Sequence, residues 1–182
     1  MVVRIRRART EDAAGIAGVY IESWRETYAG VLPTAMLVGL SQERLTARWQ
    51  RRLKTPSKRG RRLKEIFVAV DEHAGVVGFG ACGPSRDPKL GFVAEVYTLY
   101  VHPNHLGHGL GSALLSRLFD SLIGQGIESA IIWALSDNPC RYFYSAIGGR
   151  IVAERTSQYW GRELREMAYG WPSLIGWRAL AP

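Results

Sequence analysis

Two hydrophobic periods alternate along the chain. Residues 2–6 mix β-branched residues with arginine and predict a first strand. Thr10, followed by Glu11 and Asp12, has the form of a helix start, a hydroxyl cap ahead of acids in the first turn. Ile16, Val19, Tyr20 and Trp24 then recur at helical spacing until Gly30 and Pro33 break the run. A second helical pattern covers residues 41–53, with Leu45, Trp49 and Leu53 on one face and Arg44, Arg48, Arg51 and Arg52 on the other. From residue 66 the period becomes that of strands. Residues 66–70 and 76–81 read as a hairpin around a turn at 71–75, and residues 92–101 as a longer strand rich in Val, Tyr and Phe. Residues 109–123 predict a helix whose apolar stripe is Leu114, Leu115, Leu118, Phe119, Leu122 and Ile123, ended by Gly124 and Gly126. A strand at 127–135, a short helix at 139–147 stopped by Gly148 and Gly149, and strands at 150–156 and 163–169 complete the order. This succession predicts a single α/β (α+β) domain, a mixed sheet with helices packed on it.

Composition narrows the class. Hydrophobic residues make up 47% and charged residues 22% of 182, which excludes a disordered chain. No apolar run approaches the about 18 residues of a membrane helix. The first residues carry charge where a signal peptide needs its apolar stretch. Two cysteines, Cys82 and Cys140, imply no disulfide framework. The expectation is a cytoplasmic protein with no membrane partner. The net charge of +8 favours polyanionic partners. It is local, however. Residues 48–64 hold nine arginines and lysines and no acid, and the remainder sums to −1. That run reads first as a solvated face and loop. It is also a candidate grip for an acidic protein, for RNA or for a phosphate, with nucleic acid the weaker reading.

Chemistry concentrates where the long strand meets the central helix. The joining turn reads Leu106-Gly107-His108-Gly109-Leu110-Gly111-Ser112. At a helix N-terminus the first amides lack intrahelical partners and the dipole is positive, so glycines there make an anion site suited to phosphate. Gly111 is followed by Ser112 and Ala113, which a P-loop would not tolerate, and the G-x-G-x-G spacing differs from the dinucleotide fingerprint. A tight turn that binds nothing stays open as a reading. His102, His105 and His108 are three apart, but Pro103 and the glycines spoil any helical register. Phosphate contact by His105 or His108 is preferred to metal ligation, and no metal is expected.

With its flanks, Glu95 to Val101, Pro103 and the glycine turn, this segment resembles the acetyl-coenzyme A motif of the GNAT superfamily of N-acetyltransferases. That motif runs from a long strand through V-x-P to Q/R-x-x-G-x-G/A and a helix. Leu106 stands in the Gln/Arg place. Asn138, Cys140, Phe143, Tyr144 and Gly148-Gly149 resemble the second motif of the same family, with Gly149 in the place of a Phe. The stretch from Ser23 to Pro33 also resembles a helix–loop of bacterial members. The likeness spans residues 2–171, leaving 172–182 as a C-terminal tail and a candidate homodimer contact.

The resemblance implies a mostly antiparallel sheet of six to seven strands, helices on both faces, splayed after a bulge near the acyl-coenzyme A site. It implies acetyl-CoA as cosubstrate and acetyl transfer to an amine by direct attack in a ternary complex. By that likeness Leu99, Tyr100 and Val101 flank the pantetheine, with main-chain contacts from Leu99 and Val101. Leu106, Gly107, His108, Gly109, Leu110, Gly111 and Ser112 surround the pyrophosphate, Asn138 contacts the pantetheine, and Tyr144 is the general acid. Glu95, six residues before Val101, shares that residue's strand face if no bulge intervenes, and is the candidate base. Glu22, Trp24, Glu26, Tyr28, Tyr159 and Trp160 are candidates for an acceptor site with aromatic and acidic walls, for a small-molecule or peptide amine. The alternative is a non-catalytic acyl-CoA-binding, nucleic-acid-binding or acidic-protein-binding module on the same scaffold.

Overall fold

The computed structural model describes residues 2–54, 64–159 and 161–177. Seven strands form one sheet in the order β1-β2-β3-β4-β5-β7-β6. They are β1 (Val3–Arg7), β2 (Glu65–Asp71), β3 (Gly75–Pro84), β4 (Ala94–Val101), β5 (Ala130–Leu135), β6 (Arg150–Tyr159) and β7 (Arg162–Trp171). Only β4 and β5 run parallel. The helices are α1 (Ala13–Thr27), α2 (Thr34–Val38), α3 (Gln42–Lys54), α4 (Leu110–Ile123) and α5 (Arg141–Ala146).

Side-chain alternation sorts the core into two layers. Leu114, Leu115, Leu118, Phe119 and Leu122 of α4 meet Val96 of β4 and Ala130, Ile132 and Ala134 of β5, with Tyr144 and Ile147 from the α5 region. On the opposite face Ile16 and Val19 of α1 and Trp49 of α3 pack on Val68 and Phe79. The two helical layers therefore lie on opposite faces of the sheet, as expected.

Three differences from the sequence reading have local causes. The Thr10 hydroxyl makes no cap. Residues Thr10–Asp12 form a 3-10 turn in which the Arg9 amide donates to Asp12 Oδ2 at 2.7 Å. Arg6 binds both oxygens of the same carboxylate, at 2.7 and 2.8 Å. Pro33 does not simply end helical structure: it precedes α2, because a fixed φ suits a helix entrance. Met36 and Leu37 of α2 close over Trp24 and Tyr28. Finally, residues 172–177 are not a free tail. Leu174 is fully buried, its amide donates to Glu128 O at 2.7 Å, and the Trp177 ring lies 4.9 Å from Phe119. The 178–182 part of the expected tail lies outside the described residues. Among the described residues no helix is long and apolar enough to cross a membrane.

Burial opposes ionisation of Asp12, yet the Arg6 hydrogen bonds and the Arg9 amide hold its carboxyl below the ordinary value. Its stabilisation is therefore full above the unfolded carboxyl pKa of about 3.9 and is lost as pH falls through the lower folded value. Asp12→Asn should cost about 1–3 kcal/mol at neutral pH, because it leaves a partly buried guanidinium short of a charged partner. Thermal melts of wild type and variant should converge below about pH 4. An undiminished gap in acid would show that the carboxylate charge is not what matters.

Candidate functional site

The central feature is a parting of strands. β4 pairs with β5 only at Ala94↔Ala130, Glu95↔Ile131 and Val96↔Ile132. Beyond that β5 stays with β7 as far as Leu135↔Glu166, while β4 stays with β3 as far as Gly78↔Val101. The His102 amide donates to Val77 O at 2.8 Å, so strand alternation turns the main-chain groups of Tyr100 toward β3 and those of Leu99 and Val101 into the gap. Val101 O accepts from Ser23 Oγ of α1 at 3.2 Å. A cleft of about 680 Å³ occupies the gap.

The glycine turn stands at one end of this cleft. Gly107 and Gly109 have φ of 78° and 71°, a left-handed backbone that favours glycine. Gly109 caps α4, and its carbonyl accepts from Ala113 N at 3.0 Å. The amides of residues 107–112 have no acceptor among the described residues. Leu106, Gly107, Gly109, Leu110, Gly111 and Ser112 line the cleft; His108 is exposed and does not. The His108 side chain is therefore withdrawn as a phosphate contact. His105 lines the cleft with a buried Nδ1 that lacks a partner, as does Thr98 Oγ1. Two orphaned polar atoms and six free amides fit a polyanionic ligand better than an empty turn. Among the described residues no group of His, Cys, Asp and Glu is arranged for a metal ion.

A bulge overturns one expectation. Ala81 pairs with Thr98 but Cys82 pairs with Val96, so Tyr97 is an extra residue on β4. The inserted residue inverts the alternation: Val96 shares the α4 face with Leu99 and Val101, and Glu95 lies on the other face with Tyr100. Glu95 is fully buried. It accepts from the Arg86 amide at 2.9 Å and from the Arg86 guanidinium, with Nε at 2.9 Å. It is not among the cleft-lining residues. Tyr97 itself crosses Gly83, where a Cβ would sit 2.6 Å from its hydroxyl, and donates to Pro84 O at 2.6 Å.

The second motif faces the first across the cleft. Tyr144 of α5 is buried and lines the cleft, and its hydroxyl makes no hydrogen bond among the described residues. Burial pushes its phenol above the ordinary value, with smaller contributions from Cys140, Tyr100 and Tyr169. Asn138 donates to Tyr28 Oη at 3.1 Å and accepts from Cys140 N at 2.8 Å, so its side chain ties the end of α1 to the start of α5. Trp24 stacks on Tyr20 at 5.0 Å, meets Tyr28 edge-on at 5.1 Å and donates to Tyr100 Oη at 3.0 Å. Trp24, Glu26, Tyr28 and Tyr159 all line the cleft. Glu22 does not, and Trp160 lies outside the described residues.

The walls are more basic than expected. Arg48, Arg52, Arg86 and Arg155 line the cleft. Arg155 lies 3.9 Å from the Trp133 ring and donates to Glu166 at 2.7 Å. Glu166 also accepts from Ser157 at 2.5 Å and Tyr159 at 2.8 Å. Burial opposes its ionisation, but these donors hold its carboxyl below the usual range. The sequence reading missed Arg86, Arg155, Glu166 and Tyr20. Only Arg48 and Arg52 carried a signal, as members of the basic run, whose 55–63 portion lies outside the described residues.

Comparison with known proteins agrees with this arrangement. Residues 11–148 match the acetyltransferase (GNAT) family. The uncharacterized N-acetyltransferase YuaI of Bacillus subtilis is 34% identical over 179 residues, 98% of each chain. The L-amino acid N-acyltransferase MnaT of Escherichia coli is 36% identical over 158 residues, 82% of this chain and 81% of MnaT. In fold, the chain resembles yncA of Salmonella typhimurium, solved with its cofactor acetyl-CoA, with a TM-score of 0.66 at 24% identity, covering 100% of this chain and 98% of that one. It also resembles the paia N-acetyltransferase of Thermoplasma acidophilum in complex with coenzyme A, with a TM-score of 0.65 at 21% identity, covering 92% and 98%.

The cysteines differ in a way that reports on the cleft. Cys140 is exposed and lines it, while Cys82 is buried, and burial pushes its thiol up to about 12. A thiol reagent should count one reactive cysteine in the folded protein and two in denaturant. Two fast thiols before unfolding would contradict the packing of β3.

Proposed function

The chain belongs to the acetyltransferase (GNAT) family, and on that premise we propose that it transfers an acetyl group from acetyl-CoA to a primary amine of a small molecule or peptide, by direct attack in a ternary complex. The observation that carries this reading is the set of free amides at residues 107–112, opening onto a cleft whose strand edge is unpaired. Bound acetyl-CoA supplies an activated acetyl thioester. The amides of Gly107, His108, Gly109, Leu110, Gly111 and Ser112 hold its pyrophosphate through the positive end of α4. The main-chain groups of Leu99 and Val101 complete the unpaired edge by accepting the pantetheine as an added strand. A main-chain amide of this stretch polarises the acetyl oxygen.

Tyr144 donates the proton that the departing thiolate needs. Its raised phenol keeps the proton on oxygen at neutral pH, and nothing else in the described structure competes for that hydroxyl. Asn138 acts here by fixing Tyr28 against α5 from its place in the cleft wall. Glu95 serves as the counter-ion of Arg86 in this reading; a carboxylate sealed on the far face and saturated by donors makes a poor base. Glu26, exposed at the cleft, offers the acceptor ammonium a negative charge, and Trp24 and Tyr28 offer an aromatic wall. Partial desolvation at the cleft wall raises the pKa of the exposed Cys140 thiol, and no hydrogen bond to a base activates it among the described residues, which supports direct attack over an acetyl-cysteine.

Calorimetry should detect coenzyme A binding to the purified chain, and an amine panel should release free thiol from acetyl-CoA. Binding without release for every amine would favour the non-catalytic alternative. Tyr144→Phe should lower kcat by about 100-fold while leaving the KM for acetyl-CoA within a few-fold, the signature of a lost proton donor. Gly109→Val should instead abolish coenzyme affinity, since a β-branched residue resists the left-handed cap.

A further inference from the structure

Among the described residues two carboxylates line the cleft, Glu26 and Glu166. Glu26 is exposed on α1, whereas Glu166 of β7 is only 4% exposed. The two oxygens of Glu166 are unequally used. Oε2 accepts from Arg155 Nε at 2.7 Å and from Ser157 Oγ at 2.5 Å, which fills its lone pairs. Among the described residues Oε1 accepts from Tyr159 Oη alone, at 2.8 Å, so it keeps the capacity for one more donor. A buried carboxylate oxygen that is short of a donor at a cavity wall calls for an N–H or O–H from whatever fills the cavity.

Strand register says which part of the cleft this oxygen serves. Glu166 lies opposite Leu135 of β5 and Arg155 of β6, so the three side chains share one face of the sheet. Leu135 packs there with Trp24 and Tyr28 from the α1 side. The glycine turn begins α4, which packs on the other face. A coenzyme with its pyrophosphate at residues 107–112 therefore enters the gap between β4 and β5 from one face, and Glu166 stands on the other. The phenols around the gap are sorted by their partners. Tyr28 Oη accepts from Asn138 Nδ2 at 3.1 Å and Tyr100 Oη from Trp24 Nε1 at 3.0 Å, and neither hydroxyl donates among the described residues. Tyr159 is the reverse: its proton goes to Glu166, so toward a ligand its oxygen can only accept. Donors thus gather at Tyr28, Tyr100 and Tyr144, where a thioester oxygen and a leaving sulfur need them, and acceptors at Glu166 and Tyr159.

We infer that Glu166 is the amine-binding residue of this site: its Oε1, beside the Tyr159 oxygen, accepts an N–H of the acceptor and holds that nitrogen on the α1 side of the gap. The inference rests on the proposed acetyl transfer and names the residue that fixes the acceptor in it. In the neutral amine, one N–H on Oε1 leaves the nitrogen lone pair to meet the thioester carbonyl. Arg155 already balances the Glu166 charge at 2.7 Å, so the contact selects for an N–H rather than for bare positive charge. Trp133 lies under the Arg155 guanidinium at 3.9 Å and keeps the arginine, and with it the carboxylate, in place.

The probes are n-butylamine, phenethylamine and glycinamide, each beside its trimethylammonium analogue, which carries a positive charge and has no N–H to donate. Calorimetry on the coenzyme-A-loaded protein reads affinity, and thiol release from acetyl-CoA reads turnover. In wild type the primary member of a pair should bind about 10- to 100-fold more tightly than its analogue, the range of a charge-assisted hydrogen bond. In Glu166→Gln, Arg155 and Ser157 hold the amide oxygen at the Oε2 place, which turns the NH2 toward the cleft. The preference should then shrink to a few-fold, and the amine KM should rise about 10-fold while kcat at saturating amine and the KM for acetyl-CoA change little. A preference that came from the bulk of the methyl groups would survive in that variant. Ser157→Ala disturbs the same network without touching Oε1, and its preference and amine KM should stay within a few-fold of wild type. Equal affinity within the wild-type pairs, which needs no variant to fold, would overturn the inference and leave acetyl transfer intact. So would a full preference in Glu166→Gln. An equal loss in Ser157→Ala, or a KM for acetyl-CoA that rises with the amine KM, would overturn it by making Glu166 a structural residue. Absence of thiol release from any amine would instead remove the acetyltransferase reading beneath it.

Discussion

The site depends on one constraint: β4 must run on without its neighbour. A strand interior to a sheet normally satisfies its backbone on both sides, and unpaired main-chain groups away from water are costly. Here β5 is committed to β7 along its whole length and β4 to β3, so the two part after Val96 and a wedge opens between them. The walls of the wedge are fixed by secondary structure and do not need a ligand to form. α1 braces its open end, through Ser23 on Val101 O and Trp24 on Tyr100 Oη. The same strand then runs into the glycine turn, so the free edge and the free helix N-terminus become one continuous surface of unsatisfied donors. A ligand that is a strand-like amide chain at one end and a diphosphate at the other answers both needs at once.

The Tyr97 bulge decides the electrostatics of that wedge. Without it Glu95 would face α4 together with Val101. With it, the carboxylate turns to the other face and is sealed behind Arg86. Glu166 repeats the device on β7, buried behind Arg155, Ser157 and Tyr159. Both acids thus fix arginines at the cleft wall; Glu95 stays out of the cleft, and Glu166 lines it with its carboxylate engaged by three donors. The price is two buried carboxylates, which only their dense hydrogen bonding makes tolerable. The pair on α3, Arg48 and Arg52, has no carboxylate partner among the described residues and stands across the sheet from the glycine turn.

Much of this was legible from residue pattern. The glycine turn announced itself, because Gly107 and Gly109 occupy left-handed positions and sit between a strand-period and a helix-period segment. The α4 stripe and the succession of strands and helices along the chain followed from apolar spacing, whereas the order of strands in the sheet did not. The bulge was not placed by pattern, since Val96-Tyr97-Thr98 is an unbroken run of strand formers with no Gly or Pro to mark it. Its trace lies instead on the partner strand, in Gly83, which leaves room for the Tyr97 ring. That Arg48 and Arg52 line the cleft was hidden for a different reason. An amphipathic helix shows which side is polar, but the part of that polar side covering a cleft is set by how α3 lies on α1. Arg86, Arg155 and Glu166 were invisible because each gains meaning only from partners at least seven residues away.

The departure at Gly149 bears on how Tyr144 is placed. α5 is six residues long, too short to hold itself, so the place of Tyr144 must come from tertiary contacts. Asn138 fixes the helix start through the Cys140 amide. At its other end Ile147 O accepts from both Trp171 Nε1 at 3.2 Å and Trp177 Nε1 at 2.9 Å. Gly149 is what lets Trp171 reach this carbonyl: a Cβ there would lie 2.8 Å from the Trp171 ring and 2.8 Å from Tyr144 O. Trp171 thus occupies the space that a side chain at position 149 would enter. Phe143 completes the link forward, since a Cβ at Gly111 would come within 3.3 Å of its ring. The last glycine of the turn therefore lies in close contact with α5, and the first two are favoured by their left-handed backbone. That contact packs the glycine turn, with its free amides, directly against the helix that carries Tyr144.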